Sequence, residues 1–160
     1  MRLPLEMAGT VADRINAVIT SSHTEECHQG FKLFVLDGSS VRLEHTPEKL
    51  ERYPQCRTEA SRAHYPLARI VVATDAITRA RLRPVSGPRH GSSARGELEL
   101  AQDVLPLIPA GAVVLGDRLY GCFRFCYQVF STGKHVLTRL SDKRANQFIG
   151  QLIGKQDTGK

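Results

Sequence analysis

Leu33-Phe34-Val35-Leu36-Asp37-Gly38-Ser39-Ser40 and Ala112-Val113-Val114-Leu115-Gly116-Asp117-Arg118 each place a carboxylate at the end of an apolar, β-branched run. Runs of this kind read as buried strands. Two such strands lying side by side would fix Asp37 and Asp117 close together at one sheet edge, where open α/β sheets take their ligands. Paired carboxylates there point to a metal-ion site, because hard oxygen donors suit magnesium or manganese. Taken singly, each acid has a plainer reading. Asp-Gly between apolar runs is a hairpin-turn signal, and an aspartate between a strand and a helix is a good helix cap.

Outward from these segments the pattern fills in. Val11, Ile15, Val18 and Ile19 recur at helical spacing over Gly9 to Ser22, with Thr10 as the N-cap. A polar linker, Ser21 to Gly30, leads to a strand over Phe31 to Leu36 that continues as Ser40 to Leu43. Residues 44 to 66, with Pro47, Pro54 and Pro66, predict an irregular excursion holding at most a turn or two of helix. Arg69 to Thr74 and Thr78 to Val85 predict two strands paired across Asp75-Ala76-Ile77. A glycine-rich basic loop, Gly87 to Gly96, precedes a helix over Leu98 to Leu105 that Pro106 ends. After the Pro109-Ala110-Gly111 turn come the strand Ala112 to Leu115, a helix from Leu119 to Phe130 closed by Gly133, and a strand over Lys134 to Leu140. Three regions result: a helix and linker over 1–30, a core over 31–140, and a polar tail over 141–160 with one amphipathic turn at Phe148 to Ile153.

Composition bounds the partners. At 160 residues, 41% apolar and 24% charged, the chain suits one folded domain. A formal net charge of +6 favours a polyanion, nucleic acid before acidic lipid. The N-terminal Met1-Arg2-Leu3-Pro4-Leu5-Glu6 has a charge and a proline where a secretory leader needs an apolar run, and no stretch approaches membrane-spanning length. The expectation is a cytoplasmic protein with no membrane partner. Cys27, Cys56, Cys122 and Cys126 make no C-x-x-C pair. His23, Cys27 and His28, or Cys122 and Cys126, fall short of the four-ligand spacing of a zinc site, so reduced thiols are expected.

The order strand, strand, strand, helix, strand, helix, strand is the ribonuclease H-like layout, and further residues carry a family likeness. Leu36-Asp37-Gly38-Ser39 is similar to an "LDGT" first strand, and Gly116-Asp117-Arg118-Leu119-Tyr120 to an "ADRGY" fourth strand. Arg95-Gly96-Glu97-Leu98 ahead of Leu105-Pro106-Leu107-Ile108-Pro109, and Gly133-Lys134-His135-Val136-Leu137, match in order. From about Phe31 to Leu140 the chain therefore resembles the catalytic domain of DDE transposases of bacterial insertion sequences, the branch with a β-rich insertion before the catalytic glutamate. The resemblance implies an α/β fold with a ribonuclease H-like mixed sheet, strands 1–3 antiparallel and the chain stopping after strand 5. It implies hydrolysis and strand transfer at transposon ends in double-stranded DNA, by a protein that is a homodimer when full length. Two Mg2+ or Mn2+ ions would be held by two aspartates, here Asp37 and Asp117, and a glutamate, each ion with its own task.

One departure decides the expected activity. The family's glutamate lies in a Tyr-x-x-Arg-x-x-x-Glu pattern, yet Cys56, Ala68, Phe123 and Phe130 stand three residues after Tyr53, Tyr65, Tyr120 and Tyr127. The third acid is missing, so the chain reads as a truncated or inactive remnant. Glu97 and Glu99 read as solvated helix charges, Asp75 as a turn residue, and Arg79, Arg81 and Arg83 as a charged edge strand. Arg89 and Arg95, with His90, in the basic loop and Arg118 beside Asp117 are the DNA-binding candidates. The alternatives are a non-enzymatic DNA-binding fragment and, further off, an aspartate-nucleophile phosphohydrolase. The latter would need a second aspartate where Val35 stands.

Overall fold

In the computed structural model, which describes residues 5–22, 28–58, 61–62 and 65–146, the strand carrying Asp37 runs unbroken through Asp37-Gly38. In chain order the described residues form α1 (Leu5–Ser22), β1 (Leu33–Arg42), α2 (Pro47–Arg52), a small hairpin of β2 (Arg57–Thr58) and β3 (Ser61–Arg62), β4 (Leu67–Asp75), β5 (Val85–Pro88), α3 (Glu97–Val104), β6 (Val113–Gly116), α4 (Phe123–Ser131) and β7 (His135–Thr138). Five strands make a mixed open sheet in the order β5-β4-β1-β6-β7. β4 is antiparallel to β1 and to β5, while β6 is parallel to β1 and to β7. The Asp-Gly turn signal fails for a tertiary reason. β1 and β4 pair continuously from Phe34↔Asp75 to Arg42↔Leu67, and that ladder outweighs a local turn preference.

One face of the sheet is packed. Phe34 and Leu36 of β1, Val71 and Ala73 of β4 and Val114 of β6 bury against Leu100, Ala101 and Val104 of α3 and Phe125 and Val129 of α4. Side chains alternate along a strand, so Val35, Asp37, Ser39 and Val41 point the other way. They are exposed, as are His135 and Leu137 of β7, the latter by 63%. Sheets with parallel strands ordinarily have both faces covered; here the described residues leave one face open.

Three expectations need correction. The strand over Thr78 to Val85 is displaced to β5, which starts at its last residue and runs two residues into the expected loop. Asp75, only 5% exposed, accepts hydrogen bonds at Oδ1 from the N–H groups of Ile77 and Thr78, and Arg79 takes a left-handed φ of 63°. That turn leaves one bridge, Thr74↔Arg81, before pairing resumes at Val71↔Val85. Arg79, Arg81 and Arg83 therefore form no strand stripe; Arg83 pairs with Asp13, and the Arg81 carbonyl accepts from Asn16.

α1 begins before Thr10, whose hydroxyl donates back to the Glu6 carbonyl at 2.9 Å, so Thr10 is not a cap. The helix also turns the opposite way from its apolar pattern. Val11, Ile15 and Val18 are exposed, while Asn16 and the Asp13–Arg83 pair face the body. These polar contacts set its rotation. Finally, α4 starts at Phe123, because residues 118–120 form a turn instead of helix. Gly133, with φ 70°, ends it as expected. Residues 142–146 are helical; the amphipathic turn at Phe148 to Ile153 lies outside the described residues.

Candidate functional site

The parallel ladder joins Leu33↔Val113, Phe34↔Val114 and Val35↔Leu115. Continued by two residues, the same register sets Asp37 beside Asp117. Asp37 lies mid-strand, just past the part of β1 that pairs with β6, Asp117 follows the last residue of β6, and both are exposed. Strand parity places Asp37 on the open face.

Asp117 is held from three directions. Its Oδ1 accepts from the Leu119 N–H at 2.8 Å, its carbonyl accepts from the Thr138 hydroxyl at 2.6 Å, and Tyr120 N–H closes the turn onto the same carbonyl at 3.2 Å. The capping reading therefore does not hold, since α4 begins after Cys122 with no side-chain cap. Asp117 organises its own turn, an Asx turn, which leaves its second oxygen for a ligand.

Behind the pair, on the packed side, lies Tyr120, 1% exposed. Its hydroxyl donates to Glu97 Oε1 at 2.9 Å, and its ring tilts against Phe125 with centroids 5.1 Å apart. Burial pushes the phenol well above its ordinary range, and the Glu97 bond, then the charges of Glu97, Asp117 and Asp37, push it further. Glu97 is thus half-buried and engaged, not a solvated helix charge. Gly38 makes room for it: a Cβ there would meet Glu97 Cδ at 2.1 Å. Because Gly38 points toward Glu97, Asp37 next to it points to the opposite face. Glu99 has another task, its Oε2 accepting from the Gly96 N–H at 2.8 Å at the start of α3.

This arrangement tests the metal expectation. Asp37 and Asp117 are hard donors suited to Mg2+ or Mn2+. Yet the Glu97 carboxylate is committed to Tyr120, and no three His, Cys, Asp or Glu side chains gather as ligands among the described residues. The residues suit one ion held by two carboxylates, not two ions. His23 and Cys27 lie outside the described residues, and Cys122 and Cys126 are not bonded to each other.

The basic candidates separate. Arg95 is committed within the fold, paired with Asp103 at 2.7 Å and donating to the Glu99 carbonyl at 3.1 Å. Arg89 reaches across to the Ser40 hydroxyl at 3.0 Å, near the end of β1. Arg118 is exposed and lines an open cleft with Asp117, Leu119, Ser141, Lys143 and Arg144. Sequence reasoning passed over Lys143 and Arg144, because a basic pair in a polar tail carries no periodic signal. It also took Tyr120 only as part of a motif. The glycine two residues past Asp117 in the family pattern is Leu119 here, and no sequence rule linked Tyr120 to Glu97.

Set against known protein families, curated proteins and solved structures, the chain finds no match.

Proposed function

We propose that this chain carries the ribonuclease H-like core of a DDE transposase, with two of the three catalytic acids, and acts on double-stranded DNA by binding it. The observation that carries this reading is the sheet order β5-β4-β1-β6-β7, with Asp37 and Asp117 each two residues past Val35↔Leu115, the last step of its parallel central pair. The mixed strand directions agree with that layout.

In the family, strand cleavage and transfer use two divalent ions, one activating the attacking oxygen and one the leaving oxygen. Asp37 and Asp117 would hold one Mg2+ or Mn2+ ion weakly. Glu97 is engaged by Tyr120 and forms no three-ligand group with them among the described residues. The reading is therefore a DNA-binding transposase core in which these residues make no complete set of catalytic acids, and the engagement of Glu97 by Tyr120 favours a non-enzymatic form over an active enzyme.

The test is direct. A labelled duplex is retained by the protein at low salt and released as salt rises, by counterion release. No magnesium-dependent nicking accompanies it. Nicking that disappears in Asp37→Ala and Asp117→Ala would show that these residues suffice for catalysis; failure to retain DNA at low salt would remove the DNA-binding reading. Calorimetric titration with Mg2+ gives weak binding, and two tight sites would contradict the geometry.

A further inference from the structure

We propose that the cleft beside Asp117, between the turn after β6 and the helical residues 142–146, is a subsite for a backbone phosphate of nucleic acid, with Arg118, Lys143 and Arg144 as its cationic wall. The proposal deepens the DNA-binding reading and rests on it.

Charge is the first argument. Three cations face one carboxylate in this cleft. Three ion pairs elsewhere join Arg83 to Asp13, Arg95 to Asp103 and Lys49 to Glu44. Arg118 and Lys143 have no ion pair among the described residues, and both are exposed. An unneutralised basic cluster in a concave surface draws an anion, and a delocalised phosphate suits guanidinium donors best.

Preorganisation is the second. The half-buried Arg144 donates from Nη1 to the Gly121 carbonyl, which fixes its guanidinium plane and leaves other N–H groups for a ligand. Gly121 itself is tightly seated, since a Cβ there would lie 2.9 Å from the Arg139 carbonyl oxygen. Ser141 adds a hydroxyl at the cleft wall. An arginine held this way loses little freedom on binding.

Position is the third. The cleft opens at the carboxyl ends of β6 and β7, the edge where such sheets bind ligands. A phosphate seated there lies against Asp117. With no divalent ion present, that carboxylate opposes the phosphate, so the subsite carries a built-in penalty that its removal would relieve.

The experiment measures anisotropy of a labelled duplex over a salt series without divalent ions, for the full chain. Lys143→Ala and Arg118→Ala each weaken binding several-fold and flatten the plot of log affinity against log salt by about one. Asp117→Asn tightens binding. Lys49→Ala, which removes a cation already paired with Glu44, leaves the slope unchanged. A wild type that binds DNA with a slope untouched by Lys143→Ala and Arg118→Ala overturns the subsite and leaves the DNA-binding reading standing. A wild type that binds no DNA overturns both. In a parallel arm, inorganic phosphate is added during thermal unfolding. If it stabilises the wild type but not Lys143→Ala while DNA is not retained, the cleft takes a free oxyanion and the nucleic-acid assignment is wrong.

Discussion

The Tyr120 hydroxyl donates to the Glu97 carboxylate across 2.9 Å, tying the turn after β6 to the first residue of α3. Tyr120→Phe keeps the ring and removes the donor. A hydrogen bond to a charged partner contributes about 1.5–3 kcal/mol, and the substitution lowers stability by about that amount in urea unfolding at neutral pH. An unchanged midpoint would show the bond to be of no consequence.

Gly38→Ala attacks the same bond from below. The new Cβ needs the space of the Glu97 carboxyl group, and that flexible end swings out, giving up Tyr120. The cost is therefore about the same as for Tyr120→Phe, and the two are not additive. A double-mutant cycle returns a coupling of about 1 kcal/mol or more; strict additivity would mean that Glu97 moves without releasing the hydroxyl.

The raised ionisation of Tyr120 has a pH consequence. Unfolded tyrosine titrates near pH 10, while burial first, then Glu97 and the two aspartates, hold the folded phenol protonated above that. This contribution is fully present below about pH 10 and falls as pH rises toward the folded value, by about 1.4 kcal/mol per unit. Wild type loses stability faster than Tyr120→Phe above pH 10. Phenolate absorbance shows Tyr120 among the four tyrosines ionising only as the protein unfolds.

Asp75 and Arg79 give a paired prediction. Asp75→Ala leaves the Ile77 and Thr78 N–H groups without their acceptor in a largely buried turn and costs about 1–3 kcal/mol. Arg79→Gly removes a side chain from a left-handed conformation, so it is neutral or stabilising by up to about 1 kcal/mol. Thermal unfolding checks both signs.

The strands were legible where apolar runs were long, as in Leu33 to Leu36 and Ala112 to Leu115, because burial of such runs dominates local preference. The Asp37-Gly38 turn signal is local, whereas the β4 ladder that overrides it comes from residues thirty or so positions away. The Thr78 to Val85 strand was lost to a single side chain, Asp75, whose hydrogen bonds no periodicity reports. In α1 the helical spacing was correct, but its rotation follows Asp13 and Asn16 instead of Val11 and Ile15. Of the candidate site, the two aspartates stand out in the sequence because each follows an apolar run, although Asp37 lies inside its strand and not at its end; Glu97's tie to Tyr120 and the cluster of Arg118 with Lys143 and Arg144 depend on tertiary approach.

The β1–β6 pairing also sets when the site can exist. Leu33 meets Val113 about eighty residues later in the chain, whereas β1 meets β4, and β4 meets β5, over shorter loops. Closing the longer loop costs more chain entropy and is expected to come later in folding. A nascent chain that has emerged only through β5 can hold the antiparallel half of the sheet, with Asp37 already in place and nothing opposite it. Asp117 can come opposite Asp37 only when β6 docks, so that approach marks the moment the antiparallel half of the sheet gains its first parallel strand.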